Sequence, residues 1–471
     1  SWVDPVSGEI LNASVLVYND IIKLINNWRF VQTSQVDERV RAVKMPQDII
    51  DESMVYVISH EIGHTLGLMH NMGASSAYPT DMLRDAAFTA DHGTTPSIMD
   101  YARFNYVAQP GDKGVKLVPP ALGVYDEYAI KWLYTPVPEA KDIWEEAVIA
   151  GKIIDDKAGD PLYRYGAQQV TNSASYGTYD PSARTEDLGN DPIKSSDYGI
   201  KNLKYILPRM NEWLGADDKD FTHRGALYTQ LTNQYYRYIG NVLAQVGGIY
   251  LNNVKDGSAV KPSVPVARKV QKASLKWVVS QLCSSSWINE PSVTSNLPLA
   301  TPESNKICAV VAKSLVSTVP NNVMLSAAVP GVSRPYTIKD YYDDLYTEVF
   351  ASSIAGRKLA SEERTLQREV LMASSKDVKS VLSRSFAEET DKYLDGSDWC
   401  SYDACNLGEG QPPFQKAVSV LTIDESDGCR ILFLNKVKAL CLSRRHSASS
   451  EDKAHYEFLL ARVNSALQNQ K

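Results

Sequence analysis

Apolar and polar residues follow one another at two different periods along this chain, and the changes of period mark out its elements. Between Glu9 and Tyr18, Ala13, Val15 and Val17 alternate with Asn12 and Ser14, which predicts a strand with one apolar and one mixed face. From Asp20 to Phe30 the spacing lengthens to three and four, placing Ile21, Leu24, Ile25 and Trp28 on one side of an amphipathic helix. Asp51 to Leu66 repeats that spacing in Val55, Ile58, Ile62 and Leu66, a stripe expected to face the core. The stretch from His70 to about Tyr106, with Pro79, Gly93 and Pro96, keeps no period and predicts a loop-rich wall. Asp126 to Tyr134 returns to a helical pattern through Tyr128, Ile130 and Leu133.

Residues 150–200 are rich in Asp, Gly, Ser and Tyr and read as a linker or irregular lobe. Within it, Glu186 to Asp191 is expected to be a solvated loop, with calcium binding as the other reading, since no ordered ligand spacing is visible. From about Asn202 the chain turns mainly helical. Leu227, Leu231, Tyr235, Ile239, Val242 and Val246 step by three and four until Gly247-Gly248 stops them. A hairpin is expected at Ile249 to Val260 around Asp256-Gly257. A helix beginning near Val270, proline-containing loops over 296–336, and helices over Leu345 to Leu371, Ala417 to Leu442 and Glu451 to Leu467 complete the pattern. No repeat of fixed period is visible.

Composition narrows the classes. A chain of 471 residues should hold about two or three domains. With 44% hydrophobic and 22% charged residues it has the balance of a protein that buries large cores. A net charge of -7, and no clustered Lys/Arg tract, argue against a nucleic-acid partner. No uninterrupted apolar run approaches a membrane span. The six cysteines permit bridges without requiring them: Cys400 with Cys405 across a loop and Cys429 with Cys441 across a helix bend are the pairs near enough in sequence, and reduced thiols are the other reading.

The chemistry concentrates in His60-Glu61-Ile62-Gly63-His64-Thr65-Leu66-Gly67-Leu68-Met69-His70. On a helix His60 and His64 are one turn apart and project together, so both imidazoles can reach one ion. His70 cannot join them along the same helix, because ten residues would carry it about 15 Å up the axis. The helix must therefore break before His70, and Gly67 is where a left-handed residue is cheapest. Three neutral imidazoles around a divalent ion leave a fourth position open, the pattern of a catalytic zinc site. Glu61 is placed to act as general base toward water held there. His92 in the following loop is disfavoured as a fourth ligand, since it would close the position catalysis needs. Asp100 is expected to hydrogen-bond within its own turn or to a ligand imidazole. In the helical half, His223, His446 and His455 are isolated and read as surface or satisfied core residues.

The motif, followed by Ser97-Ile98-Met99-Asp100-Tyr101, resembles the metzincin clan of zinc endopeptidases. That resemblance implies that Met99 lies in a turn beneath the metal and packs as an apolar floor without binding it. It also implies, by analogy with astacin-like and serralysin-like members, that Tyr101 stands near the zinc, where a phenol can stabilise charge on the reacting carbonyl. The runs Asp4-Pro5-Val6-Ser7-Gly8-Glu9-Ile10, Asn71-Met72-Gly73-Ala74-Ser75 and Ile98-Met99-Asp100-Tyr101-Ala102-Arg103-Phe104-Asn105-Tyr106 are similar to those of large secreted bacterial metzincin-like proteases with a helical C-terminal region.

The expected fold is therefore α+β: a zincin-like catalytic domain over 1–140 that lacks its first strands, a linker or irregular lobe over 141–200, and a mainly helical region over 201–471. In the resemblance, Glu9 to Tyr18 would be the cleft-rim strand that takes an extended peptide, an ordinary interior strand being the other reading. The expected function is a zinc-dependent endopeptidase using Zn2+, with metal ligands His60, His64 and His70, catalytic residues Glu61 and Tyr101, and Met99 in the turn. Its partner is a protein or peptide substrate, its oligomeric state is open, and its location by resemblance is secreted, periplasmic or at the cell surface. Two other readings stand beside it: a non-catalytic helical binding or scaffold protein that keeps the zinc-binding fold, and a metallohydrolase of a non-peptide substrate. Retention of Glu61 beside all three histidines favours catalysis over the scaffold.

Overall fold

A computed structural model of the chain, describing residues 1–120, 122–167, 169, 179–374, 423–446 and 449–468, turns most of the apolar periodicity into helices and little of it into sheet. Among the described residues the strands make two two-stranded sheets. Near the start, β1 (Trp2–Val3) pairs antiparallel with β2 (Ile10–Asn12). Farther on, β3 (Ile249–Leu251) pairs antiparallel with β4 (Ser263–Pro265). The α+β expectation is thus corrected to an α-rich fold. Residues Ala13 to Tyr18 alternate as a strand should, but among the described residues no second strand lies beside them to complete a ladder. Leu16 and Val17 are exposed, so the strand expected over Glu9 to Tyr18 is shortened to Ile10–Asn12 and is not an interior one.

The first third holds α1 (Asp20–Thr33), α2 (Gln47–Thr65), α3 (Ala86–His92), α4 (Val124–Tyr134) and α5 (Ile143–Asp155). Then come α6 (Pro192–Ile206), α7 (Met210–Leu214), α8 (Thr222–Leu243), α9 (Arg268–Cys283), α10 (Pro291–Thr294), α11 (Glu303–Val316) and α12 (Thr318–Ala328). The chain closes with α13 (Ile338–Val349), α14 (Ala351–Ala355), α15 (Ser361–Ser374), α16 (Ile423–Arg444) and α17 (Ser450–Gln468). Local chemistry sets many of these starts. The carboxylates of Asp142 and Asp191 accept from backbone N–H groups in the first turns of α5 and α6, and Thr337 and Asp340 cap α13 reciprocally. The loops expected over 296–336 are largely α11 and α12. Pro302 sits just before α11 and Pro320 in the first turn of α12, positions where a missing N–H costs nothing.

Helix α8 is buried along the predicted stripe, with Leu227, Leu231, Tyr235, Ile239 and Val242 all shielded, and it packs on α1, α6 and α9. Around it runs the larger core, which takes Phe30, Val31 and Ile49 together with residues as far along as Leu460 and Val463. Apolar packing is thus continuous across the sequence positions near 140 and 200. The segment Glu303–Ala328 is long and apolar enough to cross a membrane, but it is two helices broken at Ser317, 56% of its window is buried, and α11 packs on α15. Cys429 and Cys441 stand on one helix about 18 Å apart, so the bridge between them is not made. Cys283, Cys308 and Cys441 are free thiols, each pushed up to about 12 by burial. Cys400 and Cys405 lie outside the described residues.

Candidate metal centre

Helix α2 supplies two of the three histidines and the reversal that returns the third. It ends at Leu66, whose N–H reaches Ile62 O and Gly63 O, while Leu68 N–H also donates to Gly63 O at 3.1 Å. Gly67 takes φ +87°, the left-handed conformation that a side chain would disfavour, and the chain folds back at the position expected. The stripe on this helix is a correction. Val55, Ile62 and Leu66 are exposed, whereas Ser53, Tyr56, Val57, His60 and Gly63 are buried. The histidine face turns inward because Ser53 Oγ, Tyr56 Oη and His60 Nδ1 each meet a backbone carbonyl there and its apolar atoms meet Trp28, Ile98, Met99 and Phe104.

The imidazoles of His60, His64 and His70 converge, with one ligand atom from each lying within 4.8 Å of the others. His60 Nδ1 is 2.7 Å from Ile98 O, and His64 Nδ1 is 2.8 Å from Leu68 O. A carbonyl can only accept, so both Nδ1 atoms carry the hydrogen and both Nε2 atoms present a lone pair. His64 Nε2 lies 3.0 Å from His70 Nε2, where two imidazoles aim at a common point. Burial, and next the neighbouring His64, push the His60 pKa well below the ordinary imidazole value, which keeps it in the neutral form a metal needs. Donors of this kind suit a divalent ion of the zinc type at bonds of about 2.0–2.1 Å. Glu61 follows His60 on the same helix and is half-buried.

Met99 is fully buried, and its sulfur approaches the backbone of Gly63 so closely that a Cβ there would stand 2.4 Å from it. The second residue of the x-x pair between His60 and His64 is therefore a glycine for a packing reason. Asp126, at the start of α4, holds the turn that contains Ser97 and Ile98: its carboxylate accepts from Ser97 Oγ at 2.6 Å, Ile98 N at 2.8 Å and Gly123 N at 2.7 Å. Spacing does not reveal Asp126, because two of the three donors it satisfies lie 28 and 29 residues back along the chain. Replacing it with alanine leaves those donors buried and unpaired and loosens the carbonyl that orients His60. Asp126→Ala is expected to lower stability by about 2–4 kcal/mol and to weaken zinc binding, measured by urea unfolding and by titration with zinc. An unchanged unfolding midpoint would count against the clamp.

Tyr101 is 1% exposed, with its ring centroid 5.3 Å from that of His60 and 4.6 Å from that of His70. Asp100 is not bonded to a ligand imidazole, a role taken by the carbonyls of Ile98 and Leu68. Its carboxylate accepts from Ser75 N at 2.6 Å, and Ser75 Oγ reaches Asp187 Oδ1 at 3.3 Å. The expected solvated loop at Glu186 to Asp191 is also corrected: Glu186, Asp187 and Leu188 are buried, and Asp191 caps α6. Burial raises both acids of the Asp100 and Asp187 pair, Asp187 to about 7 with Arg184 opposing the rise, and Asp100 well above its ordinary value with Asp187 adding to it.

A carboxyl that keeps its proton to about pH 7 when folded, but loses it near 3.9 when unfolded, makes the fold bind the extra proton between those values. Stability then falls as pH rises through that window. Asp187→Asn cannot ionise, so its Tm relative to the parent protein is expected to increase between pH 4.5 and 7.5. A difference that stays constant with pH would rule out the retained proton.

Other histidines stay apart from this centre. His92 ends α3 with its ring against Phe88, 4.7 Å between centroids, and is not among the converging donors. His223 and His455 are part-buried in the helical half, where His455 Nε2 meets Gln367 Oε1 at 3.0 Å, and the exposed His446 accepts from Arg445. A protein-family model described as Met-zincin matches residues 42–356. No curated protein and no solved structure matches.

Proposed function

Because the chain belongs to the Met-zincin family, we propose that it is a zinc-dependent endopeptidase whose metal is held by His60, His64 and His70. The observation that carries this reading is the convergence of three imidazoles of which two have their Nδ1 atoms tied to carbonyls, a donor set prepared for one ion. Zinc bound there supplies Lewis acidity that polarises a peptide carbonyl and acidifies water. Glu61 then takes a proton from water at its carboxylate and delivers it to the leaving nitrogen. The Tyr101 hydroxyl donates to the carbonyl oxygen as negative charge gathers on it. Met99 packs against Gly63 as a polarizable apolar filler and binds no metal itself.

Cleavage of casein or a mixed peptide library by the zinc-loaded protein, lost on chelation and regained on adding zinc, tests the proposal. Stoichiometric zinc binding with no cleavage of any protein or peptide would leave the binding-scaffold reading in its place.

A further inference from the structure

Among the described residues three other than glycine have positive φ, and two of them, Arg103 (59°) and Glu186 (56°), lie against each other beside the metal centre. Long charged side chains gain nothing from a left-handed backbone, so such strain persists only where surrounding contacts impose it. Both residues are buried, at 4% and 2% exposure, with Arg103 Nε 3.9 Å from Glu186 Oε1. Burying an ion pair is a weak route to stability, because apolar residues of the same volume often serve as well. The cost is explained better by what the pair holds.

It holds Tyr101. The Arg103 guanidinium carbon is 4.4 Å from the Tyr101 ring centroid and 4.2 Å from that of Trp28, so the planar cation is clasped between two aromatic faces. Glu186 N–H donates to Tyr101 O at 2.9 Å, which fixes the backbone of the same residue. The Glu186 carboxylate in turn accepts from Gln32 Nε2 at 2.8 Å and pairs with Arg237 Nη1 at 3.1 Å, and Asn241 Nδ2 donates to Glu186 O. Arg237 and Asn241 belong to α8, in the helical half.

We propose that Arg103 and Glu186 are positioning residues. They fix the Tyr101 ring against His60 and His70 so that its hydroxyl meets the substrate carbonyl oxygen, and α8 braces them through Arg237. The helical half thereby takes part in catalysis without contributing a group that touches substrate. This inference rests on the peptidase reading above.

A double-mutant cycle separates positioning from general structural support. Arg103→Met is expected to lower kcat about 10- to 100-fold, with KM within about threefold and zinc stoichiometry unchanged. In a Tyr101→Phe background the same substitution should cost nothing further, because the hydroxyl it positions is gone. Losses that multiply, or a loss of zinc along with activity, would overturn the proposal. If Arg103→Met does not fold, Arg237→Met, at the more open side of the same carboxylate, carries the cycle with an expected kcat loss of about two- to fivefold that vanishes in Tyr101→Phe.

A parent protein that cuts no peptide removes the peptidase reading but leaves a second readout. Crystal structures of the zinc-loaded parent and Arg103→Met then decide: a Tyr101 ring displaced from His70 upholds the positioning role, and an unmoved ring ends it.

Discussion

Glu61→Gln is expected to lower kcat/KM by about a thousandfold or more while leaving zinc stoichiometry and Tm unchanged. Glutamine keeps the shape of the side chain at a half-buried position one residue past His60, so packing along α2 has no reason to change. What it loses is the capacity to accept a proton, and general acid–base groups contribute about 10²- to 10⁴-fold. A thousandfold loss corresponds to about 4 kcal/mol of barrier, more than any packing change at such a position would cause. The three histidines are untouched, so metal analysis separates a lost base from a lost ion. Activity within tenfold of the parent would remove Glu61 from the mechanism and shift the general base elsewhere. Loss of zinc alongside activity would mean that Glu61 supports the site without acting in it.

How much of this could be read from the chain depends on the range over which each residue acts. Spacing within one turn of helix was enough to pair His60 with His64, and the cost of a left-handed residue was enough to place the reversal at Gly67. The periodicity of α8 was legible for the same reason: a single stripe from Leu227 to Val242 meets a single core. The stripe on α2 misled because hydrophobic spacing assumes that polar residues face water. There the buried face carries Tyr56 and His60, whose hydroxyl and Nδ1 are satisfied by the carbonyls of Asp100 and Ile98, about forty residues away in sequence.

The strand expected at Glu9 to Tyr18 came out shorter, as Ile10–Asn12, for a different reason. Alternation states what a strand would bury, not whether another strand is present to pair with it. Nothing local marks Asp126 or Glu186 either. One is an acid that satisfies three donors in a turn, and the other an acid in a polar stretch that reads as loop until α8 is laid beside it. Both act across sequence distances that no pattern of period two or 3.6 can register. The residues most legible were those whose chemistry requires close neighbours, and the supporting ones emerged only from the fold.

His70→Ala is expected to abolish activity and to weaken zinc binding by about two to three orders of magnitude, with a much smaller effect on folding. Structural zinc sites with four ligands bind with about 10–16 kcal/mol, so one ligand is worth about 2.5–4 kcal/mol, and each 1.4 kcal/mol is tenfold in affinity. His70 is the ligand to remove, because it lies beyond the end of α2 and its loss leaves the helix intact. The contrast with small zinc-dependent domains follows from where the core lies. The centre sits against a cluster built from Ile25, Trp28, Tyr56 and Phe104, while the larger core from Phe30 to Val463 owes nothing to the ion. Saturating zinc at 100 to 1,000 times its dissociation constant adds about 3–4 kcal/mol. Chelation should therefore lower Tm by several degrees without unfolding the chain, and calorimetry of the parent with and without chelator, beside His70→Ala, reads both effects. Unfolding on chelation at room temperature would make the metal a condition of the fold. A His70→Ala protein that held zinc as tightly as its parent would take His70 out of the ligand set altogether.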